Sequence, residues 1–162
     1  ILWLRERTLL SVADYSFLSG YYHDQGRTGA KHDILREALA HYPEQTDFCN
    51  DLGYSLLLEG GDLEEARALI ERALLLEPQN PYFLDSLGWY HYLKGDYDRA
   101  LEILAPLADM QDLPAEIAWH LGAVHLKLDN GEQAKKFLQL SIEIGGDPDS
   151  VSLAEEALRR LP

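Results

Sequence analysis

Six histidines, one cysteine, scattered serines and a surplus of carboxylates are the residues of this 162-residue chain whose types could do chemistry. A metal site built on one helix needs two ligands about four residues apart, so that both reach the same side. His120 and His125 are five apart, and no H-E-x-x-H stretch occurs. His91 and His125 stand 34 residues apart, which places them on different elements, and with His23 they read as partly buried packing residues. Hydrolysis would want a nucleophile beside a base and an orienting acid. Ser55, Ser86 and Ser141 instead lie inside helical patterns without a G-x-S-x-G elbow. Cys49, alone, cannot close an internal disulfide or build a thiolate cluster. Gly60-Gly61 and Gly145-Gly146 lack the lysine and threonine that follow a phosphate-binding loop, so they read as helix terminators. The paired carboxylates Glu64-Glu65 and Glu155-Glu156 read as solvated helix faces. The expectation is a chain with no catalytic centre, no metal and no cofactor.

Charge narrows the partners. Fourteen Lys and Arg against 28 Asp and Glu give a formal charge of -14, a field that repels phosphate backbones and anionic headgroups, so nucleic acid is not an expected partner. No stretch approaches the roughly 20 apolar residues that a membrane-spanning helix needs. With 46% hydrophobic and 26% charged residues the balance is that of a folded, soluble chain. The first residue is Ile1 rather than Met, which suggests a fragment or a processed protein, and an upstream signal peptide or lipid anchor stays open. The compartment is therefore undetermined between the cytoplasm and a bacterial periplasm or outer membrane.

The elements that would position any functional residue follow from an internal repeat. Leu87-Gly88 recurs 34 residues later as Leu121-Gly122, and Ala66, Ala100 and Ala134 recur at the same interval. Leu52-Gly53 precedes Leu87-Gly88 by 35, the extra residue falling in the doubled glycine Gly60-Gly61. A fainter copy upstream holds Gly20, Ala38 and Pro43, for four units in all, at about 10–45, 46–80, 81–114 and 115–148. Each unit reads as two amphipathic helices and a turn. In the third, Tyr82 to Leu93 and Tyr97 to Ala108 flank Gly95-Asp96, with Asp96 as N-cap; in the second, Asp62 and Glu65 form an acidic capping box. Pro43 and Pro78 close their units and Pro114 starts the fourth. A ninth helix over 150–161, with Leu153, Ala157 and Leu158 on one face, caps the array. The fold class is all-α. The conserved spacing reads as a packing code, in which glycine lets two helices approach and the small alanine fits against it.

These residues resemble the tetratricopeptide repeat family, whose pattern is W-x2-L-G-x2-Y, A-x3-F, P. Leu84-x2-Leu87-Gly88-x2-His91 with Ala100-x3-Leu104 is similar to it. So are Ala118-x2-Leu121-Gly122-x2-His125 with Ala134-x3-Leu138, and Cys49-x2-Leu52-Gly53-x2-Leu56 with Ala66-x3-Ile70, Ala73 and Pro78. The likeness is strong over about 47–146. It departs in the first unit, where Ser16, Ser19 and His23 replace larger residues and Lys31 stands near the small alanine; no unit has the tryptophan, and Asp112 and Gly146 replace the last proline in units three and four. The stretches around Asn50-Asp51-Leu52-Gly53-Tyr54, Leu84 to Trp89 and Glu116 to Gly122 also look like repeats of bacterial outer-membrane lipoproteins that serve as adaptors.

The resemblance implies a right-handed α-solenoid, one domain over 1–162, whose concave wall is lined by positions 2, 5, 9 and 12 of each repeat. Those positions give Phe17 and Tyr21; Asn50 and Tyr54; Tyr82, Asp85, Trp89 and Tyr92; and Trp119, with Ala123 at the last ninth position. Asp14, Asp47 and Glu116 add an acidic edge. Trp89 and Tyr54, directly after the packing glycine, are expected to be exposed there. Cys49, at an inward position, is expected to be a buried thiol. Such a wall suits an apolar or basic peptide, helix or protein surface. Lysine and arginine are missing from these positions, which argues against a clamp for acidic C-termini. The function expected is a non-catalytic interaction scaffold. The alternatives are a structural segment of a longer solenoid, self-association through apolar Ile1, Leu2, Trp3 and Leu4, or an accessory domain of an enzyme encoded elsewhere in a longer chain.

Overall fold

In a computed structural model that describes residues 9–146 and 148–161, the described residues form nine α-helices and no strand. The apolar Ile1, Leu2, Trp3 and Leu4 lie outside the described residues. The helices group into two compact units, Ile1–Pro78 and Gln79–Pro162. The first holds two hairpins, α1 (Val12–Asp24) with α2 (Thr28–His41) and α3 (Thr46–Leu58) with α4 (Leu63–Leu76). The second holds α5 (Pro81–Leu93) with α6 (Tyr97–Leu104), α7 (Ala115–Lys127) with α8 (Gly131–Ile144), and α9 (Pro148–Arg160).

In the first unit two of the four helix starts, those of α1 and α4, carry side-chain caps. Ser11 caps α1 in a reciprocal box: its Oγ accepts from the Asp14 N–H at 3.3 Å, and the Asp14 carboxylate accepts from the Ser11 N–H at 3.0 Å. The Ser11 hydroxyl also donates to that carboxylate, and these bonds hold Asp14 below the usual carboxylate range. Asp62 caps α4, accepting from the N–H groups of Glu64 and Glu65. The reciprocal half expected of Glu65 is not made, because its carboxylate takes Arg36 of the preceding hairpin, 2.9 Å away. The core is Tyr15, Leu18, Ile34, Leu35, Phe48, Leu52 and Ile70, with Cys49 buried among them as expected and its thiol pushed up by burial.

The paired helices do approach closely at the glycines, and the nearest side chain is the large residue four positions after the expected alanine. A Cβ on Gly53 would stand 2.8 Å from Ile70 Cγ1 and 2.9 Å from the Ala66 carbonyl oxygen. On Gly88 it would stand 2.5 Å from Leu104 Cγ, and on Gly122 2.7 Å from Leu138 Cδ2. The glycine therefore makes room for the large residue four positions after the alanine, and at Gly53 for the alanine's carbonyl as well.

The first hairpin is shifted by one residue from the expected register. A Cβ on Gly20 would meet nothing within 4 Å, whereas Ser19 is buried. Tyr15, Leu18 and Tyr22 are buried with it, so the motif runs Tyr15-x2-Leu18-Ser19-x2-Tyr22, with serine in the place of glycine. His23, expected at the packing position, is exposed because Tyr22 fills it.

In the second unit the core joins Ala100, Leu104, Leu107, Leu113, Ile117, Ala118, Leu121, Val124 and Phe137. Asp96 caps α6 by accepting from the Arg99 N–H, as expected. The helix stops at Leu104 rather than running to Ala108, and Ala105–Asp109 continues as a 3-10 turn. Pro106 is the cause, since it brings no N–H and its ring crowds the carbonyl four residues back. Helix α9 packs on α7 and α8, burying Ala154, with Ala157 and Leu158 half-buried. Leu153, placed on that face by sequence, is exposed instead.

Candidate functional site

The nine residues assigned to a concave wall separate into three groups. Phe17, Tyr21 and Tyr82 are exposed. In the corrected register Phe17 and Tyr21 stand at positions 6 and 10 rather than 5 and 9, so the first hairpin contributes the small Ser16 and Gly20 at those wall positions. Tyr54, Tyr92 and Trp119 are half-buried. Asn50, Asp85 and Trp89 are buried, contrary to their expected place on an open wall. The Asn50 Oδ1 meets no hydrogen-bond donor among the described residues.

Trp89 is the clearest departure. It is 8% exposed, and its indole stacks on the His120 imidazole, ring centroids 4.0 Å apart and planes 18° apart. It also stacks on Tyr92 at 4.4 Å and 7°, with Trp119 tilted beside it at 6.4 Å. The side chain leaves the seam with its own partner helix, as expected, but folds over the next hairpin instead of facing out.

Asp85 explains why. It is 4% exposed and His120 only 1%, and the His120 Nδ1 lies 2.9 Å and 3.0 Å from the two carboxylate oxygens. A buried carboxylate needs such a partner, and the pairing fixes the imidazole so that one ring face is offered to Trp89. Asp85 is therefore withdrawn from the open wall. Sequence reasoning missed His120 because its relation to Asp85 is 35 residues long, close to one repeat, and neither residue belongs to the family's motif.

The chain of contacts Asp85, His120, Trp89 ends at Tyr92 and Trp119, which line one cavity of about 300 Å³ in the second unit. Tyr92 comes from the end of α5, Trp119 and Leu126 from α7, and Arg160 from α9, with Leu161 just past its end. Burial, reinforced by the neighbouring Tyr97, pushes the Tyr92 hydroxyl above its usual range, so it stays a neutral hydrogen-bonding group at any physiological pH. Lys127 also lines the cavity, its Nζ 6.0 Å from the centre of the Tyr97 ring. Among the described residues no group of three or more histidines, cysteines and carboxylates is arranged to hold a metal ion. No helix of the described residues is long and apolar enough to cross a membrane.

Two family models described as tetratricopeptide repeat match the chain, over residues 22–89 and 86–150. A TPR repeat-containing protein of Pseudomonas aeruginosa is 38% identical over 89 residues, which are 54% of this chain and 15% of the relative. The matched region thus spans a small part of that relative's length. A thermophilic TPR protein of Thermus thermophilus has a similar structure, with a TM-score of 0.75 over 96% of this chain and 84% of that one, at 19% identity. At that identity the likeness shows the fold, an all-α repeat solenoid.

Proposed function

Because the chain belongs to the tetratricopeptide repeat family, whose repeats are generally protein-protein interaction modules, we propose that it is a non-catalytic scaffold holding an apolar segment of a protein partner. The observation that carries this reading is the half-buried pair Tyr92 and Trp119 lining a cavity of about 300 Å³, backed by the buried Trp89. Aromatic side chains held in place by packing supply large contact area at low entropy cost. Tyr82 on α5 is a further contact candidate in the same unit, and Tyr54 with the exposed Asp47 on α3 are candidates in the first unit by themselves. Of the acids that favoured a basic partner, Asp85 on the wall is taken by His120 and Asp14 on the edge by the cap of α1. Tyr92 and Trp119 at the cavity are what support an apolar contact. The bacterial relative is consistent with a bacterial protein, and the resemblance to outer-membrane lipoprotein repeats favours an adaptor in a bacterial envelope.

The test is crosslinked capture from a lysate, comparing the wild-type chain with Trp119→Ser, both shown to be equally folded by thermal denaturation. The expected result is a partner whose recovery drops by about tenfold, the effect of losing one anchoring aromatic. Equal recovery by both forms would move the contact away from this wall. A second reading, self-association or stacking within a longer array, is favoured by exposed Leu9, Phe17 and Tyr21 at the start of the first unit. It expects a mass that rises with concentration and that Phe17→Glu returns to the monomer value.

A further inference from the structure

We propose that the cavity of the second unit is a seat for an acidic apolar segment of the partner, one aliphatic or aromatic side chain entering it while a side-chain carboxylate of the same segment meets its rim. The proposal rests on the scaffold reading above and adds the chemistry that the partner must carry.

At about 300 Å³ the cavity is at the small end of ligand pockets, which run from about 300 to 1,000 Å³. It has room for one or two side chains rather than for a whole helix. Its apolar surface comes from Tyr92 and Trp119 with Leu126 and Leu161. Its charged lining is Lys127 from α7 and Arg160 from α9, and among the described residues no Asp or Glu lines it. That inverts the average of the chain, where acids outnumber bases 28 to 14. Physiological salt screens charges beyond about 8 Å. A carboxylate at this rim therefore responds to Lys127, to Arg160 and to the Glu156 that Arg160 holds, and is largely screened from more distant negative charge.

Lys127 is free to respond in this way, and Arg160 responds with the donors that its own ion pair leaves over. Lys127 is exposed, its ammonium lying beside the Tyr97 ring and not against a carboxylate in any ion pair of the described residues. Arg160 pairs with Glu156 one turn back on α9. A guanidinium carries five N–H donors, so that pairing leaves donors for a second carboxylate. Each cation also sits next to an apolar residue of the lining, Lys127 beside Leu126 and Arg160 beside Leu161. An apolar side chain and a carboxylate on neighbouring residues of one short segment match that adjacency. Positions 2, 5, 9 and 12 of the repeats omit both cations, one lying just past the twelfth position and the other on the last helix, and so the sequence alone pointed to a partner of the opposite charge.

The test is an NMR titration of the 162-residue chain with three pentapeptides blocked at both ends: Ser-Asp-Phe-Asp-Ser, Ser-Asn-Phe-Asn-Ser and Ser-Lys-Phe-Lys-Ser. Blocking removes any terminal carboxylate, so a response reports side-chain charge alone. The Asp peptide is expected to shift the Trp119 indole and Lys127 amide signals with a Kd about fivefold below that of the Asn peptide, the scale of one or two exposed ion pairs. The double variant Lys127→Glu, Arg160→Glu, at two exposed positions, is expected to reverse the order in favour of the Lys peptide. Equal Kd values for the three peptides, or tightest binding of the Lys peptide by the wild type, would overturn the charge preference while leaving an apolar docking wall intact. If no peptide moves the Trp119 indole, the pocket itself is refuted, and the Trp119→Ser capture decides separately whether the wall holds a partner.

Discussion

At Gly53, Gly88 and Gly122 the space a methyl group would need is already filled by a branched side chain of the next helix. Leu104, the neighbour of Gly88, is fully buried and cannot swing away, so Gly88→Ala is expected to cost about 1–3 kcal/mol of stability by overpacking. Gly20 is the contrast, since it lies within α1 with nothing near its Cβ position. Gly20→Ala is expected to stabilise by roughly 0.5–1 kcal/mol, the ordinary helix preference of alanine. Urea unfolding midpoints that move in opposite directions for the two variants would verify the register. Asp85→Leu takes the carboxylate from a buried imidazole and is expected to cost about 2 kcal/mol, the scale of a buried hydrogen bond to a charged group. It should also change the fluorescence of Trp89, which the His120 ring supports; an unchanged spectrum would mean that Asp85 does not position the aromatic group. Acid sensitivity follows from His32 and His125, whose imidazoles burial holds below their usual range. A base with a lowered folded pKa binds its proton more readily when unfolded. The stability it gives is complete above about pH 6.5 and is lost as pH falls below that value toward the folded pKa. The unfolding midpoint should therefore drop between pH 7 and 5, and drop less in His125→Phe, which keeps the stacking on Phe137.

Among the elements, α6 is the irregular one, with 8 residues where α2, α4 and α8 have 14. Pro106→Ala is expected to let it run on through the 3-10 turn, seen as slower amide exchange from Leu107 to Asp109. Unaltered exchange there would place the cause in the packing of Leu107 instead. Helix boundaries were readable from sequence wherever punctuation was chemical: Asp62 and Asp96 cap α4 and α6, and Gly60 and Gly95 adopt the left-handed backbone that follows a helix end. The first hairpin was misread by one residue because Gly20 imitates the packing glycine while Ser19 occupies its place. Side-chain direction was less readable than helix existence. Repeat positions fix which face of a helix a residue shares, but whether Trp89 leans outward or over the next hairpin depends on what that hairpin offers. The His120 ring, oriented by Asp85, offers a stacking surface that no single-helix pattern contains. Of the nine wall residues, Tyr92 and Trp119 converge on a cavity, and their cationic neighbours Lys127 and Arg160 became visible only when α9 was seen packed on α7.

On the scale of the molecule, two compact units carry the same hairpin code with different surfaces. The first exposes Phe17 and Tyr21 on α1, and the second gathers an aromatic group around Trp89 and closes it with α9. A net charge of -14 sets the general behaviour of the chain toward polyanions. Short-range chemistry at the second unit's cavity sets what a protein partner must present. The central claim is that a partner rests on the wall formed by Tyr92 and Trp119, and photo-crosslinking in the native cell tests it most directly. A photoreactive phenylalanine would replace Trp119 in one form of the chain and Gln139, exposed on α8, in another. The account predicts a discrete crosslinked partner from position 119 and little or none from position 139. A partner captured equally or better from position 139, with none at 119, would contradict it.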